Sequence, residues 1–333
     1  MSVLVLGAGG FLGLNTVDAL LALGVKPLCG RRARGNVLGL RQRKVPLVEA
    51  DLNRPQSLVE AMRGCRTVVH LAGHYPRLST DPAGSTALAC RQTQAVLDAA
   101  AGAGVARLIY VSSTATVAAR SDRPSDEGDR FDQAPGFGAY HDLKWQMEQR
   151  VAAEQRLQTV TLCPAACVGP FDWKAGTSGI FWQLKEGRCP PQPDGLVSWV
   201  DVRDVGLAIA ALVTRELQPP RLLLSAQSLG FQALLKRLAA RWGAGPLPPP
   251  IADEEARQTA DAEEQRAARD GGRPSMSREL VDLVIHGARL DGHLAERLLG
   301  FTYRPLGEAL DAFDAWADPL TAAVPTRSRG ASV

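Results

Sequence analysis

Tyr140-His141-Asp142-Leu143-Lys144 sets a phenol and an ammonium four residues apart. On a helix, positions i and i+4 share one face, one turn apart. An ammonium there stabilises the phenolate and lowers the phenol pKa, so Tyr140 becomes a proton donor to a carbonyl or an acceptor from an alcohol. The chain holds only 4 Tyr, which makes a chance Tyr-x-x-x-Lys uncommon. Upstream, Ser112-Ser113 closes an apolar run. A hydroxyl at Ser113 can bond a substrate oxygen and hold it beside Tyr140, with Ser112 and Thr114 as neighbouring alternatives.

A second constellation opens the chain. Ser2 to Leu6 is a short apolar strand, and Gly7-Ala8-Gly9-Gly10-Phe11-Leu12-Gly13 leads into an apolar helical run to Leu23. Gly7 permits a tight turn, Gly10 brings backbone N–H groups against phosphates, and Gly13 lets helix and strand pack closely. The anion then sits on the positive end of the helix, as a dinucleotide pyrophosphate does. The spacing is GxxGxxG rather than the widespread GxGxxG, and such a string alone also suits a structural turn.

Other strand ends carry matching chemistry. The second strand ends Cys29-Gly30-Arg31-Arg32, with Gly30 where an NAD-selective site places an acid. Two arginines there suit a 2′-phosphate, so NADP(H) is expected over NAD(H), although solvated turn arginines read the same way. Asp51-Leu52 can accept from an adenine amino group and flank the ring, or simply supply an acid ahead of a helix beginning near Pro55. His70-Leu71-Ala72-Gly73 closes the fourth strand with small residues against which a cofactor can lie. His70 itself reads as a strand residue.

These residues need a scaffold that brings strand ends together. Val25–Cys29, Val45–Ala50, Thr67–Leu71, Arg107–Ser112 and Thr159–Cys163 read as strands. Helical patterns near 11–23, 55–63, 84–103 and 139–155 alternate with them. Strict alternation means βαβ units and a parallel sheet covered on both faces, with ligands outside the carboxyl ends of the strands. The expected fold class is α/β: a Rossmann-type doubly wound parallel sheet with a smaller, mostly helical C-terminal substrate-binding region. Residues 1–168 form the dinucleotide-binding domain and 196–225 return to it. Residues 169–195 and 226–322 form the substrate-binding region, with an exposed charged helix from Asp253 to Asp270, and 323–333 have the composition of a disordered tail.

Bulk composition narrows the class. The 333 residues are 45% hydrophobic and 22% charged, as in ordinary globular proteins, and can bury a sizeable core. A net charge of +3 argues against nucleic-acid or anionic-membrane partners. The 6 Cys form no CxxC pair and the 5 His are scattered, so no metal site is expected. The N-terminus lacks a basic segment and carries Asp18 in its apolar stretch, unlike a signal peptide, and no apolar run spans a bilayer. A cytoplasmic location is the expectation.

Together these residues resemble the extended short-chain dehydrogenase/reductase family (NAD-dependent epimerase/dehydratase-like), over nearly the whole chain. The landmarks are Gly7–Gly13, Asp51-Leu52, His70 to Gly73, Tyr110-Val111-Ser112-Ser113, Tyr140 with Lys144, and Cys163-Pro164 leading to Val168-Gly169-Pro170-Phe171. Val200 to Val205, Leu299-Gly300-Phe301 and Arg304-Pro305 follow. The resemblance gives Ser113, Tyr140 and Lys144 the catalytic roles. Cofactor roles fall to Gly7, Gly10, Phe11, Leu12, Gly13, Arg31, Arg32, Asp51, Leu52, Leu71, Ala72, Gly73 and Pro164, with Tyr140 and Lys144 shared.

Ala166 stands about where sugar-nucleotide epimerases and dehydratases carry an Asn for the sugar diphosphate, and it cannot supply those hydrogen bonds. Val168 to Phe171 instead looks like the dihydroflavonol reductase and hydroxysteroid dehydrogenase branch. With Phe171, Trp173, Phe181, Trp182 and Trp199, an aromatic share unusual for a chain that is 5% aromatic, this implies an apolar, ring-bearing substrate. His74, Tyr75, Thr114 and Ala166 join Phe171, Trp173, Phe181 and Trp182 as expected substrate contacts. One departure is Ala89-Cys90-Arg91-Gln92-Thr93, where the family carries Asn-x-x-Gly-Thr; a proton relay using that Asn must find another group.

The leading reading is an NADP(H)-dependent ketoreductase or alcohol dehydrogenase of secondary metabolism. The alternatives are an epimerase or dehydratase with internally recycled cofactor, and a non-catalytic NADP(H)-sensing regulator, which the intact Tyr/Lys pair disfavours. The family implies a homodimer through the helices near 84–103 and 139–155. The second of these has a polar outward face that includes Gln146, Glu148, Gln149 and Arg150.

Overall fold

The computed structural model describes residues 2–74, 78, 81–215, 217 and 219–322. Tyr75 and the expected tail lie outside the described residues. The strands are β1 (Val3–Leu6), β2 (Leu28–Arg31), β3 (Leu47–Glu49), β4 (Thr67–His70), β5 (Arg107–Val111), β6 (Gln158–Pro164), β7 (Ala166–Val168), β8 (Leu196–Asp201), β9 (Arg221–Leu224) and β10 (Gln227–Gly230). The first helices are α1 (Phe11–Ala22), α2 (Leu38–Gln42), α3 (Pro55–Met62), α4 (Pro82–Gly102), α5 (Ala139–Ala152) and α6 (Gly179–Lys185). After them come α7 (Val202–Thr214), α8 (Phe231–Trp242), α9 (Asp253–Asp270), α10 (Arg278–Ile285), α11 (His293–Leu299) and α12 (Leu306–Ala322).

Seven strands form one sheet in the order β3-β2-β1-β4-β5-β6-β9, and every pairing in it is parallel. Because β1 is apolar at every position, it can be buried on both faces. Its alternate side chains then feed two cores. Val3 and Val5 join the layer that includes Leu14 and Val205, from α1 and α7. Leu4 and Leu6 join the layer that includes Leu58, Val96 and Leu143, from α3, α4 and α5. This is the doubly wound arrangement the alternating pattern implies.

The return of residues 196–225 to that sheet holds only in part. β9 pairs with β6, Cys163 opposite Leu223. β8 instead lies in a second sheet, ordered β10-β8-β7, parallel to β7 and antiparallel to β10. An apolar run shows that a strand exists but not which edge receives it. The indole of Trp199 on β8 goes into a third core with Phe231 and Phe313, and that core holds the second sheet to α8 and α12.

Two of the sequence landmarks meet across this junction. Asp201 caps α7, accepting from the Arg203 amide at 2.8 Å. Asp204 is fully buried, takes the Arg304 amide at 2.8 Å and pairs with the Arg304 guanidinium. The chain entering α12 is therefore anchored to α7. Among the described residues no helix is long and apolar enough to cross a membrane.

Candidate active site

The carboxyl ends of β1, β4, β5 and β6 open on a cavity of about 930 Å³, closed on its far side by α6, α10 and α12. Ser113, Tyr140 and Lys144 line it together, with Phe11, Leu12, Leu71 and Pro164 from the first-domain side. Lys144 is buried, and its Nζ donates to the Ser112 carbonyl at 3.2 Å while lying 5.9 Å from the centroid of the Tyr140 ring. Ser113 opens a single 3₁₀ turn, its hydroxyl accepting from the Ala115 amide at 3.2 Å. That acceptor role leaves the hydroxyl proton available to a substrate oxygen.

The Ser112–Ser113 corner rests on a charged pair that the sequence reading misplaced. Glu148 belongs not to an outward face but to the interior. Its carboxylate accepts from Ser112 Oγ at 2.6 Å and Thr116 Oγ1 at 2.7 Å, and pairs with Arg221 Nε at 2.8 Å. Arg221 also donates to the Thr116 carbonyl at 3.1 Å. Buried charges persist only when paired and hydrogen-bonded, and this pair ties β5, α5 and β9 into one rigid corner. A charged residue in a helix of ordinary polarity gives no sequence signal of such a partner 73 positions away.

His70 lies under the site with both ring nitrogens buried and unpartnered among the described residues. Burial, reinforced by the Lys144 ammonium, pushes its pKa down to about 3, so it is neutral. Ala89, where the family carries an Asn, is fully buried and offers no polar atom. Lys144 instead donates to the Ser112 carbonyl, just past β5.

The residues expected to hold a dinucleotide fit one. Gly10 starts α1 with no side-chain cap, and its amide donates to the Gly7 carbonyl at 3.0 Å. The next three amides, of Phe11, Leu12 and Gly13, precede the first intrahelical bond, so they face outward as an anion cradle. A Cβ on Gly13 would overlap the carbonyls of Gly7 and Ala8, which is why helix and strand pack so closely there. Leu71 follows β4 with its amide on the Leu6 carbonyl at 3.0 Å, and Ala72 and Gly73 continue outside regular secondary structure.

Asp51 organises its own turn, Oδ1 accepting from Asn53 N at 3.0 Å, while Leu52 packs on the core beside it. Arg31 turns its Nη1 to the carbonyls of Arg32 and Ala33, at 3.3 and 3.1 Å. Arg32 is exposed.

The expected substrate residues divide. Thr114, Ala166, Trp173 and Trp182 line the cavity. Trp173 is 55% exposed at its mouth, edge-on to Trp316 at 5.0 Å. Its loop is held by Asp172, which accepts from Ser178 N at 3.1 Å and Ser178 Oγ at 2.8 Å. Phe181 does not reach the cavity: it is 2% exposed in the third core, between Trp242 and Phe313. A helix of seven residues, about two turns, buries one face, and Phe181 falls on it while Trp182 does not. Phe171 packs against the first core under the Arg43 guanidinium, 4.9 Å from its ring. His74 turns to α4, its Nε2 3.3 Å from Ser85 Oγ.

Other cavity residues carried no sequence signal: His141, His286, Glu279 and Trp316. His141 is buried and its pKa is lowered to about 4 by that burial and by His286. His286 stacks on Phe137 at 3.9 Å and takes a hydrogen bond from Arg257 at 3.2 Å.

The description of the NAD dependent epimerase/dehydratase family matches residues 3–223. A Synechocystis protein named putative dihydroflavonol 4-reductase is 29% identical over 247 residues, covering 72% of each chain. A Petunia hybrida cinnamoyl-CoA reductase is 28% identical over 225 residues, 62% of this chain and 67% of its own. Among solved structures, a nucleoside-diphosphate-sugar epimerase from Pseudomonas aeruginosa superposes with a TM-score of 0.77. That alignment covers 96% of this chain and 98% of the other, at 22% identity, which is a likeness of fold.

Proposed function

The chain belongs to the NAD-dependent epimerase/dehydratase family, and on that premise we propose that it is an NADP(H)-preferring ketoreductase or alcohol dehydrogenase acting on an apolar, ring-bearing ketone or secondary alcohol. The observation that carries this is the cavity lined both by Ser113, Tyr140 and Lys144 and by Trp182, Ile180, Leu283 and Trp316. Flat apolar rings suit such a wall. The relatives named for dihydroflavonol and cinnamoyl-CoA reduction support the same substrate class.

The glycine turn, the open amides of α1, Asp51 and the Leu71–Gly73 segment would hold the dinucleotide. When bound, its nicotinamide supplies or accepts the hydride. Ser113 donates a hydrogen bond to the carbonyl oxygen and fixes its position. Tyr140 gives its phenolic proton to that oxygen as negative charge develops on it. Lys144 stabilises the phenolate that is left, and the rigid Glu148–Arg221 corner keeps Ser113 at the required place.

A second reading, an epimerase or dehydratase, draws on the cations around the same cavity: Lys174, Arg188, Arg266 and Arg273. Arg188 and Arg266 are paired with Glu186 and Glu263, which weakens their claim on a diphosphate. Adding 2-tetralone and NADPH to the protein separates the two. Net loss of NADPH absorbance is the expected result. Turnover of a nucleotide sugar with no net cofactor change would replace this reading with the second.

A dimer through α4 and α5 accompanies the proposal. These helices pack together and share an open groove that includes Ala83, Ala87, Cys90 and Gln146. Sedimentation showing one species of monomer mass from nanomolar to micromolar concentration would remove it.

A further inference from the structure

One carboxyl group in the cavity has no part in the chemistry above. Glu279 sits in the first turn of α10, behind the capping Ser277, and lines the cavity that Tyr140 and Lys144 line from the other domain. Its neighbours on α10 are apolar toward the cavity, Leu280, Leu283 and Val284 among them. The charged groups behind it are committed elsewhere. Arg278 binds Asp261 at 2.8 Å and Asp282 at 3.0 Å, and the Arg278 amide donates to Glu264 at 2.8 Å. Among the described residues Glu279 makes no hydrogen bond and no ion pair.

Glu279 is half-buried, and an acid without a partner facing a largely apolar space is costly unless a ligand completes it. Burial raises its pKa to about 7, with the Lys144 ammonium opposing and Glu264 reinforcing the rise.

We propose that Glu279 is a specificity-determining residue that accepts a hydrogen bond from a hydroxyl group on the substrate, at a place other than the reacting carbonyl. This deepens the ketoreductase reading and rests on it for the position of the carbonyl. A hydroxyl fits better than an ammonium, because Lys144 already brings a positive charge to the same enclosed space. The other carboxylates lining the cavity are engaged, Asp172 with Ser178 and Glu186 with Arg188, so a substrate lacking the hydroxyl leaves Glu279 unpaired. Sites of that kind discriminate strongly against the analogue that lacks the polar group.

The test compares 2-tetralone with 6-hydroxy-2-tetralone on the full chain with NADP⁺ present, by calorimetric titration, in the wild type, Glu279→Gln and Glu279→Leu. Wild type is expected to bind the hydroxylated ketone about tenfold more tightly, the size of one buried hydrogen bond. Glu279→Gln, which keeps an acceptor oxygen, should retain most of that preference, and Glu279→Leu, which suits the apolar wall, should erase it. Equal affinities in the wild type, binding of neither ketone, or a preference that survives in Glu279→Leu overturns the assignment. NADPH consumption is read separately. Preference without hydride transfer would remove the ketoreductase reading and keep the role of Glu279, whereas reduction of both ketones without preference would do the reverse.

Discussion

Gly138, the residue before the catalytic helix α5, lies directly against the carboxylate of Asp282 on α10. A Cβ at Gly138 would overlap Asp282 Oδ2 and stand 3.1 Å from its Cγ. The φ of Gly138 is 138°, a conformation closed to other residues without strain. The start of the Tyr140 helix is therefore seated on the C-terminal region, and Asp282 is itself fixed by Arg278 at 3.0 Å and Arg257 at 3.4 Å.

Gly138→Ala should consequently lower stability by about 1–3 kcal/mol, the scale of a strained backbone position. It should also reduce turnover by moving Tyr140 relative to Ser113. Denaturant unfolding and NADPH consumption on the same preparation check both effects. A variant with wild-type stability and turnover would show that the two regions are not coupled there.

Tyr140→Phe is expected to leave dinucleotide binding near normal and to cut turnover about a hundredfold or more, the usual scale of general-acid loss. Lys144→Ala should lose both, because one ammonium serves the phenolate and the dinucleotide. Cofactor titration beside steady-state rates distinguishes them. Wild-type turnover in Tyr140→Phe would take the acid role away from this residue.

The loop after β2 yields a sharper cofactor prediction than its sequence did. Arg31 is occupied by the carbonyls of Arg32 and Ala33, whereas Arg32 is exposed and its side chain makes no hydrogen bond among the described residues. Arg32→Ala should weaken NADPH by about tenfold or more with little change for NADH, since a guanidinium on a phosphate is a charge-assisted contact. Arg31→Ala should loosen the loop and affect both dinucleotides. Equal wild-type affinity for NADH and NADPH would mean that neither arginine reads a 2′-phosphate.

Glu279 gives a pH dependence whose sign is fixed. With its folded pKa raised to about 7 and an unfolded value near 4.5, the folded state holds a proton that the unfolded state has released. The contribution of Glu279 to stability should fall as pH rises from 4.5 to 7. Glu279→Gln removes that fall, so it should equal the wild type at pH 4 and exceed it at pH 8 by about 3 kcal/mol. Lys144 from α5 opposes the rise and Glu264 from α9 reinforces it, and both are present in wild type and variant alike. Urea unfolding at both pH values checks it, and a difference that does not change with pH would place Glu279 in water.

The sequence by itself determined the doubly wound sheet and the Tyr140–Lys144 pairing, because both depend on periods of a few residues. The alternation of strands and helices fixes a parallel sheet. A four-residue spacing fixes a shared helix face, and the glycine positions fix where backbones approach. Only the tertiary structure decided what depends on distant chain segments. It placed β8 in the second sheet, because Trp199 finds its core with Phe231 and Phe313. It buried Glu148, because Arg221 arrives from β9 to neutralise it. It also brought Glu279 to the cavity of Tyr140, although 139 residues separate them in sequence. Burial and pairing are properties of what packs against a side chain, and no local period records them.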